Sequence, residues 1–137
     1  MRRIAVLYLV FIVVSSELHA QKIDVTSLPY RDCYALELSG ETQGCIAQKY
    51  ADEKKSYEEA RRAFLKNSRD AGVLQPHRFK MAAEKEKRLW EKYVLNKCEM
   101  QSSSYLPDSY GYWLTFYQCQ ALEYKAKGEY YSNYNFP

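Results

Sequence analysis

The chain has almost no histidine. Of the 2 it carries, His19 lies near the N-terminus and His77 stands alone in the remainder. It has no GxSxG, no HExxH, no phosphate-cradling glycine loop and no calcium-loop pattern. Those absences remove the commonest serine-hydrolase, zinc-protease, nucleotide-binding and calcium-binding chemistries. No CxxC pair is present, and His77 is far in sequence from every cysteine. A zinc site therefore lacks its usual ligand spacing. Carboxylates are plentiful but fall at salt-bridge spacing on helical segments, and nothing marks a glycosidase-like pair. The expectation is a protein that is not an enzyme and takes no cofactor or metal.

Charge of one sign is also missing. Twenty basic and 17 acidic residues leave a net charge of +3, too balanced to argue for nucleic acid or an anionic membrane surface. Alternating strand patterns of useful length and internal repeats are absent, so β content should be close to nil.

The one long apolar run is N-terminal. Arg2 and Arg3 precede an unbroken stretch from Ile4 to Val14, and a polar patch then ends at Ala20. That order predicts a secretory signal peptide over residues 1–20, with cleavage expected after Ala20. A membrane anchor is the rival reading, but the run falls well short of the ~20 residues a span needs. The expected product is one exported domain over 21–128, periplasmic or secreted, not stably inserted in a membrane, followed by an aromatic tail over 129–137 without periodicity.

All 4 cysteines, Cys33, Cys45, Cys98 and Cys119, lie beyond that leader. An even count in a small exported domain implies two disulfides. Three connectivities are possible; the local pairing Cys33–Cys45 and Cys98–Cys119 is the one expected here, each bridge tying neighbouring helices together.

Between the cysteines the pattern is helical. Ile46, Tyr50, Tyr57, Ala60 and Phe64 recur at steps of three and four over residues 42–67, interrupted by Glu53. Lys49, Asp52, Lys55, Glu59 and Arg62 occupy the other side. This is an amphipathic helix with one buried seam, with Glu58–Arg62 as an i,i+4 pair. The breakers Asn67, Ser68, Asp70, Gly72 and Pro76 should end it. A second helix is expected over 76–100, with Phe79, Ala82, Ala83, Leu89, Trp90, Tyr93 and Val94 on its apolar side. Pro76 suits its first turn. A third should carry Trp113, Phe116, Tyr117, Gln120 and Tyr124 and end near Gly128, and a short helix should cover 30–38. The fold class predicted is all-α: an antiparallel helical hairpin plus flanking helices, a small bundle stapled by two disulfides.

Tyrosine is what the chain has in abundance, with 14. Tyr50, Tyr57, Tyr93, Tyr117 and Tyr124 read as core. Tyr105, Tyr110 and Tyr112 around the segment "QSSSYLPDSYGY" between the last two helices, and Tyr130, Tyr131 and Tyr134 in the tail, are expected to be partly exposed, where a large rigid side chain with a polar tip favours an interface.

Several segments together resemble the LprI-like family of lysozyme inhibitors. They are "DCYALELSGETQGCIAQKYADEKKSYEEARRAFL", "AEKEKRLWEKYVLNKCEM" with its tryptophan before the third cysteine, and "YWLTFYQCQALEYKAKGEYY" with the fourth. The resemblance spans about 33–127. It implies a small exported helical protein that binds and occludes a peptidoglycan-cleaving, lysozyme-type hydrolase. Immunity against a secreted antibacterial toxin, and a structural or envelope-stress role without a hydrolase partner, are the alternatives. For such a binder the expected contact residues are Ser102, Ser103, Ser104, Tyr105, Asp108 and Tyr110. Serine hydroxyls would donate to the carboxylates of a muramidase cleft, and tyrosines would stack where sugars do.

Overall fold

The computed structural model describes residues 28–136. The expected signal peptide, residues 21–27 and Pro137 fall outside them. Among the described residues there are four helices and no strand: α1 (Arg31–Tyr34), α2 (Ser39–Asp70), α3 (Pro76–Ser102) and α4 (Tyr110–Ser132). The fold is an all-α bundle. Cys33 is bonded to Cys45 and Cys98 to Cys119, the local pairing.

α2 runs for 32 residues without a proline. It buries Ile46, Tyr57 and Phe64 along one seam. Glu53, which breaks that seam, accepts a hydrogen bond from the Tyr30 hydroxyl at 3.4 Å. The helix stops at Gly72, which adopts φ +73°. Gly72 N–H donates to the Arg69 carbonyl and Val73 N–H to the Ser68 carbonyl. Those two bonds make a Schellman cap, which needs a left-handed residue just past the helix. Pro76 then opens α3 at its first turn.

α2 and α3 form an antiparallel hairpin, and α4 lies along its groove. Down α3 the partners on α4 ascend: Cys98 meets Cys119, Lys97 meets Glu123, Trp90 meets Tyr124 and Glu86 meets Tyr131. α4 is therefore antiparallel to α3. It is parallel to α2, where Tyr50 meets Tyr117 and Phe64 meets Tyr131. The α2 and α4 backbones come close at Gly128, where a built Cβ would lie 3.3 Å from the Tyr57 Cα.

The interior has two parts. Tyr57, Phe64, Tyr124 and Tyr131 form an aromatic cluster toward the α2–α3 turn. Val94, Cys98 and Cys119 form a smaller one beside the bridge. Trp90 packs against both, its ring 5.2 Å from those of Tyr57 and Tyr124. Ion pairs join the helices: buried Arg61 pairs with Glu84 at 2.8 Å and Lys87 with Glu58 at 2.6 Å between α2 and α3, and Lys97 with Glu123 at 2.6 Å between α3 and α4.

Five expectations change. The short first helix covers Arg31–Tyr34 and not 30–38. α4 does not end near Gly128 but continues to Ser132. Tyr131 is buried, and Phe136 packs on Phe64 and Phe79, so the aromatic tail belongs to the core. Leu89 and Tyr93 are 60% and 56% exposed. The row of α3 that meets α4 is Trp90, Val94, Cys98 and Ser102, at steps of four, and residues 89 and 93 stand one position to its flank. Glu58 is taken by Lys87 across the hairpin instead of pairing with Arg62 on its own helix.

Candidate functional site

The connection between α3 and α4, residues 103–109, caps the end of the bundle where α2 and α4 begin and α3 finishes. Its local chemistry makes it a built turn. Ser109 N–H donates to the Leu106 carbonyl at 3.1 Å, closing a four-residue turn over Pro107 and Asp108. Proline at the second position sets φ, and the third requires positive φ in a type II turn. Asp108 has φ +60°, a conformation aspartate tolerates better than most side chains. Ser109 then caps α4, its hydroxyl accepting from Tyr112 N–H at 3.2 Å.

The six expected contact residues divide in two. Ser102 is fully buried and its hydroxyl donates to the Cys98 carbonyl at 2.8 Å. It continues the Trp90–Val94–Cys98 row and lies under the loop, so it is corrected from contact to foundation. Ser103, Ser104, Tyr105, Asp108 and Tyr110 are exposed. Ser103 turns its hydroxyl back to the Met100 carbonyl at 2.6 Å, which leaves Ser104 as the serine free of such a bond.

Tyr105 is held in place while remaining half exposed. Its ring lies over Gly111, where a Cβ would come within 2.5 Å of the Tyr105 Cδ1. Only glycine allows that approach. Tyr34 stands beside the pair. Burial raises its pKa above the ordinary 10.0, and the neighbouring Tyr110 and Tyr105 add to the shift. Its hydroxyl donates to Gln118 Oε1 at 2.6 Å, tying α1 to α4. Behind them Tyr112, Trp113, Phe116 and Tyr117 stack along the first turns of α4 with ring centroids 5.1–6.0 Å apart.

Two exposed apolar residues at this end escape the sequence reading. Leu106 is 79% exposed at the tip of the turn, and Met100 is exposed on the last turns of α3. The signal for Leu106 was the proline after it, which disfavours a helical backbone at residue 106. Leu36 and Leu38, in the connection between α1 and α2, expose further apolar surface at the same end of the bundle. Between Cys98 and Tyr124 there is no lysine or arginine. This end is thus aromatic, apolar and free of cations along the loop, a composition that marks protein-contact surfaces more than solvated ones.

Among the described residues the one trio with metal-ligand proximity is Asp32, Cys33 and Cys45. Its sulfurs are bonded to each other, and Asp32 pairs with Lys49 at 2.8 Å. No helix among the described residues is long and apolar enough to cross a membrane. No family model, curated protein or solved structure matches the chain.

Proposed function

We propose that the protein is an exported inhibitor that plugs the cleft of a peptidoglycan-cleaving, lysozyme-type hydrolase with its α3–α4 loop. One observation carries the reading. An exposed tip of Tyr105, Leu106, Asp108 and Tyr110 is held stiff by the Cys98–Cys119 bridge, the Tyr105–Gly111 contact and the capped turn. A tip ordered before binding loses little conformational freedom on docking, and that lost freedom is a large part of what association costs. The two disulfides suit an oxidising compartment, where such a target works. The spacing of the cysteines and the tryptophan before Cys98 supply the resemblance that names the target class. On this reading the chain has no catalysis of its own.

The test is lysis of purified cell walls by a panel of muramidases, with and without the protein. Inhibition of at least one enzyme at equimolar protein is the expected result. Leu106→Asp with Tyr110→Ala should weaken that inhibition at least about tenfold, as central interface residues do, without moving the melting temperature. An unaffected panel, or inhibition indifferent to the double substitution, rules the reading out.

A further inference from the structure

The opposite end of the bundle carries a separate cleft. Near-neutral net charge conceals how unevenly the charges are placed. From Arg62 to Lys80 there are five cations, Arg62, Lys66, Arg69, Arg78 and Lys80, against one carboxylate, Asp70. The last turns of α2 and the first turn of α3 bring four of them around a half-open cleft of about 600 Å³. Arg62, Lys66 and Arg69 line one wall, and His77 and Lys80 the other. Leu65 and Phe79 form an apolar floor, and Ser68 and Pro76 close the bottom. The volume is that of a small-molecule site. None of these four cations has an ion-pair partner among the described residues; the pairs are made by Lys49, Arg61, Lys87, Lys97 and Lys127.

The start of α3 adds a second peculiarity. Its N-cap, Gln75, makes no side-chain capping bond, and the first turn has no acidic residue. Helix N-termini present unpaired N–H groups and a partial positive charge, which carboxylates normally offset. Here Arg78 and Lys80 add positive charge at the positive end. A bound anion would offset this charge. Leu74, 97% exposed on the turn beside the cleft, extends the apolar surface at this end.

We infer that this cleft binds a small anionic amphiphile, a carboxylate or phosphate head on an apolar chain. The head sits among Arg62, Lys66, Arg69 and Lys80, and the chain lies on Leu65 and Phe79. A purely ionic ligand leaves the apolar floor unused, and an uncharged one leaves the cations unpaired. The same chemistry reaches the protein either as a free amphiphile or as a lipid within a bilayer.

The probes are decyl phosphate and decanoate below their micelle concentrations, titrated into the full chain by calorimetry. Decanol and inorganic phosphate serve as controls lacking one feature each. Saturable binding of the two anionic amphiphiles with one ligand per chain is expected, at least about tenfold tighter than either control, because charge-assisted hydrogen bonds and apolar burial act together. Arg62→Gln with Arg69→Gln should lower that affinity at least about tenfold. Both side chains are exposed and unpaired, so the melting temperature should hold. Sedimentation with phosphatidylglycerol vesicles distinguishes the sources. Co-sedimentation lost in the double variant assigns the ligand to a bilayer; one-to-one binding of the soluble probes without co-sedimentation assigns it to a free amphiphile. Heats no different from dilution, equal binding of decanol or phosphate, or a double variant that binds as well as the parent overturns the inference. Loss of hydrolase inhibition has no bearing on it, since Leu106 and Tyr110 lie at the far end.

Discussion

Replacing Gly128 and Gly44 with alanine, one at a time, separates helix propensity from backbone approach. Both glycines lie inside long helices, Gly128 in α4 and Gly44 in α2. Alanine in a helix interior is favoured over glycine by about 0.8–1.0 kcal/mol, so both variants gain the same local term. At residue 44 the new methyl meets nothing within 4 Å. Gly44→Ala should therefore stabilise the fold by roughly 0.5–1 kcal/mol. At residue 128 the methyl lies 3.3 Å from the Cα of Tyr57, 3.6 Å from its nitrogen and 3.7 Å from its Cβ. Those are atoms of a helix backbone, with Tyr57 itself fully buried, so the neighbour has little room to yield. Overpacking of this kind costs about 1–3 kcal/mol. The two variants should differ by that amount, with Gly128→Ala the less stable, which corresponds to roughly 4–8 °C in melting temperature per kcal/mol for a domain of this size. Thermal unfolding followed by circular dichroism measures the gap. If the two alanines change stability equally within about 0.5 kcal/mol, the close approach of α2 and α4 at this point is wrong, as that scatter is what unrelated surface changes produce.

Three further outcomes follow from the same geometry. Replacing Cys98 and Cys119 together with alanine opens a loop of 21 residues, which the chain-entropy model values at about 3 kcal/mol; a loss below about 1 kcal/mol in denaturant unfolding contradicts it. The Arg61 hydrogen bond holds the Glu84 carboxyl below its ordinary 4.5, so its contribution is complete above that pH and is lost as the pH falls through the lowered folded value. Arg61→Gln should flatten this acid limb in stability measured against pH, and an unchanged limb excludes the pair as its source. Burial raises the Tyr57, Tyr124 and Tyr131 hydroxyls above their ordinary 10.0. Their contribution is therefore whole below pH 10.0 and declines above it, and tyrosinate absorbance should rise in two stages, the second coinciding with unfolding; a single smooth titration of all the tyrosines refutes their burial.

Much of the bundle is legible in the sequence because its signals are local. The seam Ile46–Tyr57–Phe64 is a periodicity, the stop at Gly72 is turn chemistry, and the cysteines lie close enough along the chain to pair with neighbours. What escapes is anything decided by a partner helix. Gly128 reads as a terminator because glycine favours helix ends; here it is where two backbones meet, and helix α4 continues past it. Leu89 and Tyr93 read as core beside Trp90, yet α4 seats one residue over and leaves them outside. Ser102 reads as a loop hydroxyl, while the Trp90–Val94–Cys98 row carries it beneath the loop. Glu58 sits four residues from Arg62 but finds Lys87 across the hairpin.

The two ends of the bundle are stabilised by different means, and this follows from where Trp90 stands. On the side of the α2–α3 turn the interior is crowded with rings, from Tyr57 through Phe64 to Phe136. On the other side, between α3 and α4, Val94 accompanies the two sulfurs, with Trp90 and Phe116 packed against them. The covalent bridge adds its restraint to this smaller cluster. The aromatic end has no bridge among the described residues. Its rings reach the surface as the floor of a cation-walled cleft, and Phe79, shared by the core and the cleft, is the side chain through which a ligand there would be felt by the fold. The bridged end, tied by sulfur and by the Tyr105–Gly111 contact, is the one suited to present a fixed shape to another protein.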